Sequence, residues 1–354
     1  MLTEAHGNLL KAKTEAIINT VNCVGVMGKG IALQFKQAFP ENYEAYRSAC
    51  EAGRVRPGKM FVYDTGSMIF PRWIINFPTK DHWKGKSKIE DIKTGLDDLI
   101  QVIKANKIKS ISVPPLGCGN GGLDWSEVRP LIAAAFEKIS EVDAHIYPPE
   151  GAPKFDEMKV ATKRPNMTRG RALVLKLLGL YGAAGYRHSL LEVQKLTYFL
   201  QAVGEPMKLR FEKKQYGPYA ENLNHVLQRI EGHFIRGYGD RSKDAEIYVL
   251  NDARDEADTY LTSDNTAQVE LTRVAELIEG FETPYGLELL STVHWVATNE
   301  PEKVRSAADA LAEIRQWNPR KAQLMVESHV KAAWKQLDHL GWLPGSIKSP
   351  VPTA

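Results

Sequence analysis

Two glycine-rich stretches in this sequence have the composition of anion-binding loops. In residues 19–35, NTVNCVGVMGKGIALQF, the apolar run Ala16–Val21 breaks at Asn22. Gly25, Gly28 and Gly30 follow, and apolar residues return at Ile31, Leu33 and Phe35. In residues 113–125, VPPLGCGNGGLDW, the strand-like Ser110–Val113 leads into Gly117, Gly119, Gly121 and Gly122, with a helix expected from about Ser126. A buried strand, a loop able to adopt positive φ and a helix N-terminus together present backbone amides to a phosphate. Two such loops on neighbouring strands can grip a diphosphate from both sides. Neither is a generic nucleotide loop. Residues 25–30 read G-x-x-G-x-G where a Rossmann turn needs G-x-G-x-x-G, and Lys29 is followed by Gly30 rather than the Ser or Thr of a Walker loop.

Three further groups could carry chemistry. Lys80 follows the apolar stretch 74–77 and Thr79, so a strand delivers it to the mouth of a sheet. A lysine there is ordinarily a solvated charge. As a nucleophile it needs a lowered pKa, from partial burial or from cations such as Lys84 and Lys86. Cys118 sits between two glycines with no histidine close in sequence, where a small residue serves backbone approach better than attack. Residues 80–93, KDHWKGKSKIEDIK, set Lys80, Lys84, Lys86 and Lys88 around His82 and Trp83. Positive charge beside an exposed aromatic holds single-stranded nucleic acid by phosphate contacts and base stacking. The plain alternative is a solvated loop with one buried tryptophan.

The elements that must position these groups alternate over residues 1–150. Strands are expected at 16–21, 60–63, 73–77, 110–113 and 144–147, and helices at 31–38, 42–52, 88–105 and 126–139. Ile89, Ile92, Leu96, Leu99 and Ile103 give the third helix its apolar stripe, and Ser87 with Glu90 has capping-box spacing at its start. This pattern predicts an α/β fold, a three-layer α/β/α sandwich with a mixed sheet. Residues 151–168 are rich in proline, lack periodicity and read as a linker. From 169 to 345 the pattern becomes mainly helical, with acidic stretches at 252–258 and 276–282 and a short β patch expected near 209–211 and 247–250.

A chain of 354 residues supports two domains, and 43% apolar content suffices for their cores. The net charge of +3 decides nothing about nucleic acid. Three cysteines, Cys23, Cys50 and Cys118, are too few and too scattered for a disulfide framework or a zinc site, so no metal is expected. With no signal-peptide pattern and no run of about 18 apolar residues, the chain is expected to be soluble and cytoplasmic, without a membrane partner.

The wording of the motifs goes further than their spacing. GNLL (7–10), VNCVGVMGKGIALQFK, INFPTK (75–80) and PPLGCGNGGLDW resemble the macrodomain family, the ADP-ribose-binding fold, over roughly residues 1–150. Within it they are similar to antitoxins of the DarG family. The resemblance implies ADP-ribose as ligand and product, with no cofactor. It implies a site made of Asn8, Leu9, Thr20, Asn22, Gly28, Gly30, Ile31, Ala32, Leu33, Thr79, Gly117, Cys118, Gly119, Asn120 and Gly121. Asn8, where many relatives carry Asp, and Leu9 fall beside the adenine and its ribose; Asn22 falls against the distal ribose.

INFPTK is also similar to the segment holding the essential lysine of the terminal ADP-ribose protein glycohydrolase. That resemblance makes Lys80 the expected catalytic residue, attacking the anomeric carbon of the distal ribose or stabilising the leaving base as a cation. The same relative has a catalytic aspartate just after GCG. This chain has Asn120 and Gly121 there, and its nearest carboxylate, Asp124, is placed to cap a helix.

The resemblance further implies removal of ADP-ribose from thymidine in single-stranded DNA, with His82, Trp83 and Lys84 as DNA contacts. The implied partner is a DarT-like DNA ADP-ribosyltransferase toxin, held by the C-terminal domain. There, Lys195-Leu196, Tyr198-Phe199-Leu200 and Tyr216-Gly217-Pro218-Tyr219 resemble Panacea-type antitoxin domains. The alternatives are a non-catalytic ADP-ribose reader and a hydrolase of protein ADP-ribosyl carboxylates.

Overall fold

The computed structural model describes residues 1–345 except 152, 155–156, 183–185 and 240–244. Two units are seen, the first over Met1–Lys163 and the second beginning at Arg164.

In the first unit, β2 (Ala16–Val21) and β4 (Trp73–Pro78) are apolar runs buried on both faces, as central parallel strands require. They stand in a six-stranded sheet with β1 (Leu2–Glu4), β3 (Phe61–Asp64), β5 (Ser110–Val113) and β6 (Asp143–Ile146), in the order β1-β6-β5-β2-β4-β3. Every pairing is parallel except β3 with β4, which makes the sheet mixed. Side chains alternate between its faces. Ile18, Ile75 and Phe77 pack with the stripes of α3 (Ile89–Ala105) and α4 (Trp125–Glu137). Ile17 and Ile74 face Phe35 and Ala38 of α1 (Gly30–Ala38), while Val21 packs with Tyr46 and Ala49 of α2 (Pro40–Glu51). The result is the expected α/β/α sandwich. Strand β1, exposed and three residues long, carries no sequence signal and was not expected.

Polar groups also run through this core. Asn19 and Asn76 are paired across β2 and β4 and fully buried, and the Asn19 amide donates to Asn76 Oδ1 at 2.9 Å. Asn76 Nδ2 in turn donates to Asn42 Oδ1 of α2 at 2.8 Å.

Two expectations change here. The N-cap of α3 is Lys88, which makes no side-chain cap bond, so Ser87 and Glu90 form no capping box. Ser87 is instead buried where a Cβ on Gly121 would lie 2.3 Å from its hydroxyl. Its amide donates to Gly121 O, a tertiary contact that helix spacing cannot show. The stretch read as a linker packs within the first unit as far as Lys163. Met158 is buried, Asn8 Nδ2 donates to Glu157 O at 2.9 Å, and Ala161 N donates to Gln37 O.

The second unit is mainly helical, with α5 (Arg169–Tyr181), α6 (Leu190–Val203), α7 (Glu221–Ile230), α8 (Asn251–Leu261), α9 (Asn265–Ile278), α10 (Pro284–Asn299), α11 (Ala307–Trp317), α12 (Pro319–Leu324) and α13 (Glu327–His339). A hairpin of β7 (Phe211–Lys214) and β8 (Gly217–Ala220) and a short pair, β9 (Ile235–Arg236) with β10 (Tyr248–Val249), complete it. The Tyr-Gly-Pro-Tyr motif is the hairpin's turn and second strand. Gly217, at φ +97°, would place a Cβ 3.1 Å from Lys195 Nζ, so the glycine lets the hairpin close over a buried lysine. Lys195 donates to Pro218 O at 2.6 Å, and burial with Lys321 nearby pushes its pKa down to about 7. Tyr198 and Phe199 are core residues.

Candidate active site

The order β5-β2-β4 sets three C-terminal strand ends side by side, so both glycine loops and the Lys80 loop leave one edge of the sheet. That edge is where parallel sheets bind ligands. Pairing continues past the strands, with Thr79 N bonded to Val21 O and Cys23 N to Asp81 O, which places Asn22 next to Lys80.

Asn22 shapes the first loop. Its Oδ1 accepts from Val24 N at 3.0 Å and Val26 N at 3.3 Å, while its Nδ2 donates to Val26 O at 2.5 Å. The side chain expected on the distal ribose is thus buried and largely occupied by its own loop. Tyr46 fixes it from below, its hydroxyl donating to Asn22 O at 2.7 Å. Tyr46 is fully buried, and desolvation raises its pKa well above the usual phenol value. This positioning residue was missed because it reads as an ordinary helix-core aromatic. The available signal was Asn42 and Tyr46 at i, i+4, two polar groups on one buried face.

From Gly28 the loop enters α1, whose N-cap, Lys29, makes no side-chain cap bond. The amides of Gly30, Ile31 and Ala32 therefore remain for an anion. Ile31 and Ala32 are half-buried beside it. Leu33 has no exposed surface, so its side chain belongs to the core and cannot line the site.

The second loop closes on itself through Gly122 N to Gly119 O and Leu123 N to Gly117 O, with Gly117 at φ +72°. A Cβ on Gly119 would meet nothing within 4 Å, so this glycine borders open space. A Cβ on Gly30 would lie 2.9 Å from Asn120 Nδ2, which brings the two loops together. Cys118 is held as a thiol, its pKa pushed up to about 11 by burial and the Asp124 charge, and it does not suit nucleophilic attack at neutral pH. Asp124 caps α4, accepting from Ser126 N at 2.8 Å and Ser126 Oγ at 2.7 Å. Those bonds hold its pKa below the usual carboxylate range, so it does not suit a general acid.

Lys80 joins the pieces. Its Nζ donates to Asn120 O at 3.0 Å and to Trp83 O at 3.3 Å, and partial desolvation lowers its pKa. Asn120 thus serves both sides, its carbonyl accepting from Lys80 and its side-chain amide lying against Gly30. Thr79 is buried behind the lysine, and Thr20 is half-buried near the end of β2. Trp83 is half exposed, its ring 5.3 Å from His82, with Lys84 Nζ 5.0 Å from its centroid. At the N-terminal end of the unit, Asn8 caps a single 3-10 turn through Leu10 N and Leu9 is buried. With its Nδ2 already on Glu157 O, the Asn8 amide keeps little capacity for a purine.

A family model described as Macro domain matches residues 18–132. Over 333 residues the chain is 50% identical to a Thermus aquaticus protein named DNA ADP-ribosyl glycohydrolase, covering 94% of this chain and 92% of that one. A Mycobacterium tuberculosis protein of the same name is 44% identical over 351 residues, covering 94% and 98%. A Thermosipho africanus protein named as a fusion of DNA ADP-ribosyl transferase and DNA ADP-ribosyl glycohydrolase is 36% identical over 163 residues, 42% of each chain.

Proposed function

The chain belongs to the DNA ADP-ribosyl glycohydrolase family, and from that premise we propose that it removes ADP-ribose from thymidine bases in single-stranded DNA, with Lys80 as the catalytic group. The observation that carries the residue assignment is the placement of Lys80 Nζ, an amine of lowered pKa, on the carbonyl of Asn120 where the loops meet. A diphosphate lying along the α1 N-terminus and the Gly119 edge brings the distal ribose to this amine. His82, Trp83 and Lys84 stand on the same loop to receive the nucleotide strand. A pure reader of ADP-ribose would need the glycine loops but no such lysine.

Incubating the protein in parallel with ADP-ribosylated single-stranded oligonucleotide and with carboxylate-linked ADP-ribosyl protein tests this. Release from the oligonucleotide is expected. Release from the protein alone would transfer the chain to the carboxylate hydrolases, and binding without release would make it a reader. Tyr46→Phe, which removes the hydroxyl that bonds to Asn22 and keeps the ring, is expected to weaken ADP-ribose binding about three- to tenfold with little change in melting temperature. Asn42→Leu, one turn earlier on α2, should do the reverse; calorimetry and thermal melts on the two variants decide.

The second unit is proposed to bind the cognate transferase toxin. The fusion relative, whose name joins the two activities, supports a transferase as the partner. The acidic helix α8 is a weak candidate for the contact, since Asp252 and Glu256 pair with Arg164 and Asp258 pairs with Lys176. Glu276, Glu279 and Glu282 are exposed and offer the acidic surface that a basic DNA-handling groove would meet.

A further inference from the structure

Among the described residues of the first unit, the exposed large apolar side chains, apart from the chain start, fall in two groups. Met68, Ile69 and Phe70 crown the β3–β4 loop, and Val24, Val26 and Trp83 stand at the mouth of the site, 46%, 39% and 48% exposed. The turn around Asn22 explains how the valines come to face water. The N–H groups of Val24 and Val26 and the carbonyl of Val26 all point inward to the Asn22 amide. Gly25, between them, faces α2, where an added Cβ would lie 3.5 Å from Arg47 Cγ and 3.6 Å from Cys50 Cβ. Both valine side chains are therefore turned outward, and Val26 Cγ1 lies 3.5 Å from the position of a Cβ on Gly28. Trp83 is on the neighbouring segment, which stays bonded to this one through Cys23 N and Asp81 O, and the Trp83 carbonyl accepts from Lys80. Valines and tryptophan thus occupy the two segments that leave the sheet beside the catalytic amine.

Resting on the reading that Lys80 releases ADP-ribose from a nucleobase, we propose that Val24, Val26 and Trp83 form a base-reading shelf that selects a methyl-bearing pyrimidine. A base attached to the distal ribose must lie where the ribose meets Lys80, which is where this shelf stands. Trp83 offers a stacking face, which is tolerant of sequence. Valine has no hydrogen-bonding group and reads only apolar shape, and among the base edges the thymine C5 methyl is the apolar one. Asn22, the amide closest to the valines, is engaged in its own loop and leaves the reading to them. Lys84 and Lys86, exposed on the Trp83 loop, are placed to hold the adjoining phosphates.

Two single-stranded oligonucleotides of one sequence, carrying ADP-ribose on thymidine or on deoxyuridine, test the shelf with the full-length protein. Wild type is expected to favour the thymidine substrate in kcat/KM by about three- to tenfold, the effect of one methyl group on an open surface. The double variant Val24→Ser, Val26→Ser should bring that ratio to about one while leaving the affinity for free ADP-ribose, which has no base, unchanged. Trp83→Ala should raise KM for both oligonucleotides about tenfold and alter kcat little. Equal rates on the two substrates in wild type, or a preference that survives in the serine variant, overturn the shelf alone. Release from neither substrate overturns the glycohydrolase reading and the shelf with it.

Discussion

Replacing Lys80 by alanine is expected to lower the turnover of ADP-ribosylated DNA by about two to four orders of magnitude and to leave the affinity for ADP-ribose within about threefold of wild type. The asymmetry follows from what the lysine touches. Its amine bonds to the carbonyls of Trp83 and Asn120, while the second loop keeps its own bonds and its anchor on Ser87 N. The diphosphate cradle of backbone amides therefore outlasts the lysine.

The dependence of kcat on pH separates the two ways in which the amine can act. Burial lowers the Lys80 pKa, so the neutral form gains population at a lower pH than in an ordinary lysine. As a nucleophile the neutral amine forms a bond to the anomeric carbon while the bond to the base breaks, and the base nitrogen keeps the electron pair and takes a proton. In that case kcat rises with pH through the lowered pKa, and borohydride traps the opened ribose on Lys80. As a cation steadying the departing base, the lysine loses effect over the same range and kcat falls. Wild-type rates in Lys80→Ala would remove the lysine from the chemistry altogether.

The second large effect is on binding. Gly119→Glu is expected to reduce ADP-ribose affinity about a hundredfold and to leave the fold intact. Open space surrounds the position of a Cβ at Gly119, so the side chain is accommodated but carries its charge to the diphosphate. Two like charges about 4 Å apart at an effective dielectric of 20 repel by about 4 kcal/mol, and a flexible glutamate that swings aside retains part of that. Gly119→Gln, of the same size without the charge, should cost far less. Gly121→Ala is the contrasting case, since its Cβ would lie 2.3 Å from the Gly117 carbonyl oxygen. It should lower melting temperature and affinity together. Calorimetry and thermal melts on the three variants check this, and wild-type affinity in Gly119→Glu would place the diphosphate elsewhere.

The parts of the site that the sequence showed are those where chemistry and local conformation coincide. Gly30 and Gly117 need positive φ, and the apolar runs of β2 and β4 need burial on both faces, so the loops and their strands were readable from residue types. What remained hidden depends on partners distant in the chain. Ser87 spaces correctly with Glu90 for a cap yet serves Gly121, Tyr46 reaches Asn22 across the sheet face, and Asn120 meets both Lys80 and Gly30. Met158 anchors a proline-rich stretch that composition alone assigns to a linker. Helix α12 and strand β8 were equally invisible, because Lys321 and Lys195, which are buried there, look like surface lysines.

The buried asparagine pair also bears on which folded states the chain can reach. Asn19 lies three residues before Asn22, and Asn76 four before Lys80. Their pairing across β2 and β4 therefore locks the alignment of the two strands whose ends carry the site. A slip of one residue would set Asn19 opposite a residue facing the other side of the sheet and strand its amide in an apolar layer, at about 1–3 kcal/mol for each polar group left unpaired. It would also draw Lys80 about 3.3 Å away from Asn22, when a shift of about 1 Å in a reacting group can already cost two orders of magnitude in rate. Misaligned strands, otherwise near-equivalent in their isoleucines, are thus penalised during folding by the same residues that space the loops, and chains that fold at all emerge with the site in register.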